Sequence, residues 1–298
     1  MHGSLCLKNG VLYVGRHAAT AHVQPYDLDG HALEGGFSFR GENGRAAVTA
    51  IDVDDDHRLW IADGASGRVR VFNVFGQEQS APPALSAFAA RDRERLAGLV
   101  DVGAVGVEDD TRLLLALGGR RRHALWLVHL ASGRAHSLRP EGDPQGRFDG
   151  LRRAAIRGRM LYACEAGAGR VQVFRDGEFH FLFRAPLSSR PSDAPAGGRF
   201  RPHAIAPLGD GRLVIAEGGV EASALVLVDP GGRHLRTLAE HGEAIGQVFE
   251  PTDVAIEEAD SDHHTRVAVI DCDGDRVQVF TLDGVCFGAF PDLPRASR

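Results

Sequence analysis

The sequence predicts an all-β fold, a six-bladed β-propeller of four-stranded antiparallel blades. Three observations carry this prediction. A phrase of two apolar strands, a tight polar turn and a third strand recurs about every 50 residues. Glycine and aspartate turns separate the strands. Hydrophobic residues make up 43% of the 298 residues and aromatic residues only 7%, which predicts a large and mainly aliphatic core.

Six copies of the phrase fill the chain. The clearest copy, AIDVDDDHRLWIADGASGRVRVFNVFG, spans 50–76. The other copies span 4–30, 103–133, 154–177, 204–232 and 253–284. Each unit also contains a weaker fourth strand, such as VCFGAF. We therefore expect one domain over residues 1–298, with blades at approximately 1–40, 45–80, 99–140, 148–185, 200–240 and 249–290.

The repeat also predicts how the blades pack. A single four-stranded sheet cannot bury both of its faces, so the blades must stack around an axis. The first strand of each blade lines that crowded axis, where small residues fit. Ala50, Ala155, Ala206 and Ala255 hold this position. Blade 1 has four strands of its own, so we expect the ring to close by packing between blades 6 and 1.

Two connections differ from the repeat. Residues 82–98 predict a short helix with Leu85, Phe88 and Leu96 on one side. Residues 186–202 are rich in proline, serine and glycine and predict a long loop between blades 4 and 5. Loops of this length in a compact domain often contribute to function.

Charge and composition narrow the choice of partner and compartment. The formal charge of −6 argues against nucleic acid as the main partner, and the basic cluster 120–122 fits a solvated loop. The four cysteines lack metal-ligand spacing and fit buried free thiols of a reducing compartment. Neither a signal peptide nor an apolar stretch of about 18 residues is present, so we expect a cytoplasmic protein without a membrane partner.

The repeat resembles the NHL repeat, in which an Ile-Ala-Val-Asp start leads to a strand ending in Asp and then to Arg-Ile-x-Val-Phe. The matching residues are Ile61-Ala62-Asp63 with Arg68-Val69-Arg70-Val71-Phe72, Pro251-Thr252-Asp253-Val254-Ala255-Ile256, and Arg276-Val277-Gln278-Val279-Phe280. This resemblance implies the propeller fold for most of the chain. It implies no single activity, because the fold hosts lyases, lactonases, RNA binders and protein scaffolds.

Several acids are expected on one face of the propeller. The start of the first strand and the end of the second lie side by side in each blade, and this places four acids on that face: Asp63, Glu165, Glu217 and Asp271. Three of the four precede an arginine by five residues, across the tight turn: these are Asp63–Arg68, Glu165–Arg170 and Asp271–Arg276. We expect these three to form ion pairs within their blades, because partly buried acids are usually paired.

The fourth acid, Glu217, differs because Ala222 holds the position five residues later. His203 begins the same blade, so Glu217 and His203 are a candidate functional pair that could share a proton or a metal ion. A hydrogen-bonded structural histidine is the alternative. Thr252 and Asp253 are expected on the same face. Blade 3 shows the opposite gap, with Leu117 in the acid position and Arg122 left as a further ligand-binding candidate.

Pro202-His203 and Pro251-Thr252-Asp253 resemble phrases of the peptidyl-hydroxyglycine amidating lyases, which are NHL propellers that bind zinc through histidines. The matching positions of other blades hold Thr49, Leu151 and Thr252, so the sequence predicts no three-histidine zinc site. A calcium-dependent lactonase of the gluconolactonase type is a second distant resemblance. A divalent metal, calcium or zinc, bound by His203, Glu217 and Asp253 therefore remains an open hypothesis.

The sequence supports three functional hypotheses. The first is a binding or scaffold module that takes a protein or small ligand on the top face, at His203 and Glu217. The second is a metal-dependent hydrolase or lyase acting on a small metabolite in the central channel, with His203 and Asp253 as ligand or base. The third is an RNA binder, which would need a basic face with exposed aromatics.

Overall fold

The computed structural model describes ten ranges of the chain. They are residues 3–16, 20–41, 44–91, 99–107, 110–118, 122–143, 145–184, 200–219, 222–272 and 276–290. Within these ranges the chain is nearly all β and forms a six-bladed β-propeller of antiparallel sheets, as the sequence predicts. Most of the loop at 186–202, together with Leu96, Arg120 and Arg121, lies outside the described residues.

Each blade is built from strands that follow one another in the chain. Blades 1 and 2 comprise β1 (Ser4–Lys8), β2 (Val11–Arg16), β3 (Ala21–Tyr26), β4 (Phe37–Phe39), β5 (Val48–Val53), β6 (Leu59–Asp63), β7 (Arg68–Phe72) and β8 (Glu78–Gln79). Blades 3 and 4 comprise β9 (Leu99–Val107), β10 (Asp110–Gly118), β11 (Arg122–His129), β12 (Ala135–Ser137), β13 (Phe148–Asp149), β14 (Leu151–Arg157), β15 (Met160–Glu165), β16 (Arg170–Arg175) and β17 (Glu178–Phe183). Blades 5 and 6 comprise β18 (Pro202–Pro207), β19 (Leu213–Glu217), β20 (Ala224–Val228), β21 (His234–Ala239), β22 (Asp253–Glu257), β23 (Arg266–Asp271), β24 (Arg276–Thr281) and β25 (Cys286–Phe290).

The first strands of the blades surround the axis. In order around the ring these inner strands are β1, β5, β9, β14, β18 and β22, and β22 contacts β1 again. Each inner strand is the end member of its sheet and pairs with the second strand of its blade, while its other edge faces the axis. We call the face at which the inner strands begin the strand-start face, and the opposite one the strand-end face.

The core is divided among the blade interfaces. Six clusters of buried residues each combine side chains from two neighbouring blades. Ala155, Ala206 and Ala255 lie beside the axis as predicted. Ala50 also lies on its inner strand, β5, and packs into the cluster between blades 2 and 3, as Ala206 packs between blades 5 and 6. Because each interface has its own cluster, the ring is held mainly by contacts between adjacent blades.

The ring closes by packing, as expected. The sheet of blade 1 contains only β1, β2, β3 and β4, so no strand from the other end of the described chain completes it. Leu12 and Val14 of blade 1 share a buried cluster with Ile270 of blade 6. Tyr26 also stacks on Phe290 with 6.3 Å between the ring centroids.

Local sequence explains the tight turns and the helix. Asn9 and Gly10 join β1 to β2 with φ values of 52° and 73°, as a two-residue hairpin turn requires. The helix predicted at 82–98 is present as α1 (Pro83–Arg91). Leu85 and Phe88 are buried against blades 2 and 3, which confirms this part of the predicted apolar side.

The four cysteines are free thiols, as the sequence predicts. Cys6 and Cys164 are buried free thiols, whereas Cys272 and Cys286 are half-buried free thiols. Within the described ranges, no helix has the length and apolar character needed to cross a bilayer.

Candidate functional site

The predicted acids lie on the strand-start face. Residues at the ends of the second strands pair with residues at the starts of the inner strands: Asp63 with Val48, Glu165 with Leu151, and Glu217 with Pro202. In blade 6, the backbone amide of Thr252 donates to the carbonyl of Ile270, which directly precedes Asp271. The predicted placement of these acids is therefore confirmed.

The predicted ion pairs of Glu165 and Asp271 are present. Glu165 binds Arg170 at 2.6 Å, and Asp271 binds Arg276 at 2.5 Å. Both carboxylates are fully buried, and Gln172 donates a further hydrogen bond to Glu165 at 2.6 Å. These acids are already bound by their own blades and serve a structural role.

Asp63 is bound by several donors of its own blade. It pairs with Arg68 across β6 and β7, as the spacing predicts. Its carboxylate accepts hydrogen bonds from the amide of Ala47 at 2.9 Å and from the Ser66 hydroxyl at 2.7 Å. The carboxylate is fully buried and links its hairpin to the segment that precedes blade 2.

His203 and Glu217 lie at the strand-start face of blade 5. His203 occupies a bulge between the first paired residues of β18, and its Nδ1 lies 3.0 Å from the carbonyl oxygen of Pro251. A carbonyl only accepts, so Nδ1 carries the proton of this hydrogen bond. The imidazole packs against Gly218, where a Cβ would overlap it. Glu217 is half-buried, and its partner on β20 is Ala224 rather than an arginine.

Possible metal ligands are grouped elsewhere. In the described part of the chain, one set of three acid or histidine side chains has its ligand atoms within 4.8 Å of one another, namely Asp27, Asp29 and His31. These residues lie in the exposed connection after β3. His203, Glu217 and Asp253 do not form such a set, and metal binding by them stays a prediction.

Arg153 was not identified from the sequence. Leu151 pairs with Glu165 and Ala154 with Ala163, so Arg152 and Arg153 form a two-residue bulge at the start of β14. Leu151 therefore corresponds to Pro202, Arg152 to His203 and Arg153 to Ala204. This corrects the sequence alignment of blade 4, which matched Leu151 with His203.

The Arg153 side chain reaches across the axis. Its guanidinium donates to the carbonyl of Thr49 in blade 2 at 2.7 Å and to the carbonyl of Gly3, next to blade 1, at 3.3 Å. It also forms an ion pair with Asp253 of blade 6, with 3.0 Å between Nη2 and Oδ2. The side chains of Arg153 and Asp253 are 11% and 10% exposed. One side chain of blade 4 thus contacts three other blades or their flanking residues.

Asp253 joins blade 6 to blade 1. Its Oδ2 accepts hydrogen bonds from the Ser4 hydroxyl at 2.8 Å and from the Leu5 amide at 3.0 Å. The Ser4 hydroxyl oxygen in turn accepts from the Ile51 amide of blade 2 at 3.0 Å. We call Arg153, Asp253 and Ser4 the axial network. Asp253, a predicted metal or ligand site, is therefore already bound by protein donors.

A central cavity of about 440 Å³ lies along the axis. Its deep end is lined by Ser4, Arg153 and Asp253, and its lining continues along the inner strands to Lys8, Asp55 and Arg157. The axial network thus crosses the axis at the strand-start end of the cavity, which we call the closed end, and the lining continues to the strand-end face, which we call the open end. Half-buried Ala155 and Ala255 form part of its wall.

The mouth of the cavity is surrounded by contacts between turns of neighbouring blades. Lys8 binds Asp55 at 2.7 Å, which joins blade 1 to blade 2. The Gly10 amide donates to both oxygens of Glu257, which joins blade 1 to blade 6. The other junctions are Arg58 with Thr111, Arg112 with Asp176, Arg157 with the Pro207 carbonyl, and the Gly209 amide with Glu258. We call this set the mouth ring.

The cavity contains a thiol that is poorly suited to nucleophilic chemistry. Cys6 lines the wall and is 6% exposed. Burial, together with the nearby carboxylates of Asp52 and Asp253, raises the pKa of the Cys6 thiol well above its usual value. The thiol is therefore protonated at neutral pH, and a protonated thiol is a weak nucleophile.

Comparison with known proteins supports the fold. No family model matches the sequence, and no curated protein matches it. A catalytically inactive variant of virginiamycin B lyase from Staphylococcus aureus, solved with quinupristin, matches over 99% of this chain and 85% of its own, with 12% identity and a TM-score of 0.56. A putative 6-phosphogluconolactonase from Bacteroides uniformis matches over 95% and 82%, with 15% identity and a TM-score of 0.52.

A binding protein has a similar fold. A chain of the nidogen/laminin complex matches over 94% of this chain and 92% of its own, with 11% identity and a TM-score of 0.62. At such low identity, these likenesses show the propeller fold alone. The NHL assignment itself stays a prediction.

Proposed function

We propose that this propeller is a ligand-binding protein whose small ligand occupies the central cavity and enters from the strand-end face. The observation that carries the proposal is a cavity of about 440 Å³ along the axis, crossed at its strand-start end by the axial network and lined up to the strand-end face by the inner strands. This volume lies within the range of about 300–1,000 Å³ that is typical of small-molecule sites.

The wall of the cavity offers groups for recognition. Every inner strand pairs along one edge only, so its other edge presents backbone amides and carbonyls to the axis. Charged side chains of Lys8, Asp52 and Arg157 add to these groups. The mouth ring connects the turns around the opening, which favours a preformed site over one that must be ordered by the ligand.

The state of the reactive groups favours binding over catalysis. Asp253 already binds Arg153, Ser4 and Leu5. The raised pKa of the Cys6 thiol keeps it protonated. A metal-dependent hydrolase or lyase built on Asp253 would first have to break these contacts. The top-face site at His203 and Glu217 stays a sequence prediction, and the His203 contact with Pro251 equally suits a structural histidine.

The proposal is tested by narrowing the cavity. A small-molecule library would be screened by thermal shift on the wild-type protein, and the affinity of each hit measured by calorimetry. Ala255→Leu places a larger side chain at the cavity wall, whereas Ala289→Leu is a matched change on the outer strand of the same blade, where the alanine is also half-buried. We expect Ala255→Leu to weaken binding about tenfold or more, the effect of filling contact space in a close-packed site.

The test has a matched control variant, Ala289→Leu, and one outcome that would contradict the proposal. Ala289→Leu should bind with the affinity of the wild type, and circular dichroism should show that both variants are folded. Equal affinity of a hit for the wild type and Ala255→Leu would place its site outside the cavity and overturn the proposal.

A further inference from the structure

We propose that the cavity selects an uncharged ligand that carries several hydroxyl groups, such as a cyclic polyol. This inference rests on the proposed function, because it assigns a ligand class to the same cavity. Two properties of the lining carry it. Its charged side chains balance one another, and its inner strands present backbone donors and acceptors side by side.

The balance of charge is seen in the composition of the lining. Three basic and three acidic side chains line the cavity: Lys8, Arg153, Arg157, Asp52, Asp55 and Asp253. Each of the three basic side chains contacts a carboxylate, in the pairs Lys8–Asp55, Arg153–Asp253 and Arg157–Glu258. The lining therefore has no formal net charge, and its cations are already matched by acids of the protein.

This balance disfavours a charged ligand of either sign. An ion that enters the cavity gives up its hydration, and it regains that free energy only where an opposite charge is available to it. Neither a carboxylate nor an ammonium group would meet a surplus of the opposite charge. The effect is strongest at the closed end, where the side chains of Arg153 and Asp253 are 11% and 10% exposed. An uncharged ligand avoids this cost.

The hydrogen bonds of blades 1 and 6 show which backbone groups face the axis. In an antiparallel strand, alternate residues direct both their amide and their carbonyl to the same edge. The Leu5 amide donates to Asp253, so Leu5 and Leu7 of β1 face the axis. The Val254 amide also donates to the Asp253 side chain, so Val254 and Ile256 of β22 face the axis as well.

The inner strand of blade 5 follows the same rule. The Leu208 amide donates to the Arg212 carbonyl of its own blade, so the alternate residues Ile205 and Pro207 of β18 face the axis. The Pro207 carbonyl accepts a hydrogen bond from Arg157 of blade 4, which agrees with this direction.

Blade 4 completes the set of backbone donors. In β14, Arg157 pairs with Met160 next to a two-residue turn, so these two residues exchange backbone hydrogen bonds and Ile156 faces the axis. Four amides that the axial network does not use thus face the cavity, and they belong to Leu7, Ile156, Ile205 and Ile256. The carbonyls of the same residues face it too. A hydroxyl group both donates and accepts, so it can bind an amide and a carbonyl together.

Four compounds with one ring in common test the ligand class. Inositol, cyclohexane-1,4-diol, cyclohexane-1,4-diamine and cyclohexane-1,4-dicarboxylate differ in the number and the charge of their polar groups. Binding to the full-length protein would be measured by calorimetry at neutral pH and low ionic strength. We expect inositol to bind about tenfold more tightly than the diol, because it makes more hydrogen bonds to the inner strands. Both ions should bind more weakly than the diol. Inositol that binds no better than the diol, or tighter binding of either ion, would overturn the inference.

A pair of variants tests the role of the balanced charges. Asp253→Asn keeps an acceptor for Ser4 and Leu5 but removes the charge that balances Arg153. We expect this variant to bind the dicarboxylate about tenfold more tightly than the wild type does, because Arg153 is then a cation without a matching acid. Asp210→Asn makes the same change at an exposed acid outside the lining and should leave the dicarboxylate affinity within about twofold. Circular dichroism checks that both variants are folded. Unchanged dicarboxylate affinity in folded Asp253→Asn contradicts the inference.

The two proposals fail in different ways. If one of the ions binds best and Ala255→Leu blocks it, the cavity is the site and only the ligand class is wrong. If inositol binds equally well to the wild type and Ala255→Leu, the cavity is not the site and the proposed function itself fails.

Discussion

The two ends of the propeller axis differ in how they use their polar groups. At the strand-start end, Arg153, Asp253 and Ser4 meet on the axis, and their charges and hydroxyl satisfy one another and the nearby backbone. At the strand-end face, ion pairs such as Lys8–Asp55 form between turns and leave the axis open. The same six strands thus produce a closed end and an open end.

This difference shows how a propeller without a shared strand closes its ring. Asp253 links blade 6 to blade 1, and Arg153 links blade 4 to blades 2 and 6. The axial network therefore adds polar contacts to the apolar cluster between blades 6 and 1. Closure and ligand access can coexist on one axis because they use opposite ends of it.

The variant with the largest expected effect on stability removes Asp253, the acid at the centre of the axial network. Asp253→Ala leaves the Arg153 charge and the Ser4 and Leu5 donors without their acceptor, and loss of one partner of a buried ion pair typically costs about 3–5 kcal/mol. We expect a decrease of this size in the free energy of unfolding, measured by urea denaturation. Asp210→Ala removes an exposed acid of the open end and should cost less than about 1 kcal/mol. Equal effects of the two variants would contradict a special role for the closed end.

A second test compares two acids at equivalent positions of the strand-start face. Glu165→Ala removes the fully buried acceptor of Arg170 and Gln172, and we expect it to destabilise the protein by about 2–3 kcal/mol. Glu217→Ala should cost less, because Glu217 is half-buried whereas Glu165 is fully buried, and a more exposed carboxylate loses less when it is removed. Urea denaturation of both variants measures the difference. A larger cost for Glu217→Ala would show that burial does not decide the contribution of these two acids.

A third test measures how the free energy of unfolding depends on pH through a buried histidine of the strand-start face. Burial, and secondarily the charge of Arg152, lowers the pKa of His123, which begins β11 near the closed end. The neutral form is favoured in the folded state, so stability is complete above the unfolded pKa of about 6.5 and falls as pH decreases through the folded pKa. Unfolding free energies between pH 8 and pH 5 should decline less in His123→Gln than in the wild type. His180→Gln changes an exposed histidine and should retain the wild-type decline; a wild-type slope in His123→Gln would assign the effect to another group.

The smallest expected effect lies at the open end. Lys8→Met removes one ion pair of the mouth ring, in which the two side chains are 32% and 67% exposed. Such surface pairs contribute about 0–1 kcal/mol, and salt reduces this contribution further. Thermal unfolding at low and high ionic strength should therefore show a small difference from the wild type that disappears with salt. A loss as large as that of Asp253→Ala would mean that the mouth ring, too, is needed for closure.

The features that sequence predicted were local or periodic. Recurring strands and turns predicted the blades, and a spacing of five residues predicted the ion pairs of Glu165 and Asp271, since a hairpin of known length fixes which residues face each other. Leu85 and Phe88 were predicted by helical spacing. These signals depend on neighbours in the chain.

The axial network was not predicted because it joins distant parts of the chain. Arg153 contacts Gly3, Thr49 and Asp253, which no local pattern relates to it. No local signal marks it, because the same one-residue bulge begins the inner strands of blades 2, 4 and 5. The cavity itself depends on the geometry of six strands, and composition does not reveal it.

The stacking of Tyr26 on Phe290 at the seam has a mechanical consequence. In the described ranges every blade is a continuous piece of chain, and no hairpin there shares strands between blades 6 and 1. A pulling force that separates Ser4 from Phe290 therefore meets side-chain packing and the Asp253 contacts, but no row of backbone hydrogen bonds loaded in shear. Under tension, the ring should open first at this seam and unwind one blade at a time.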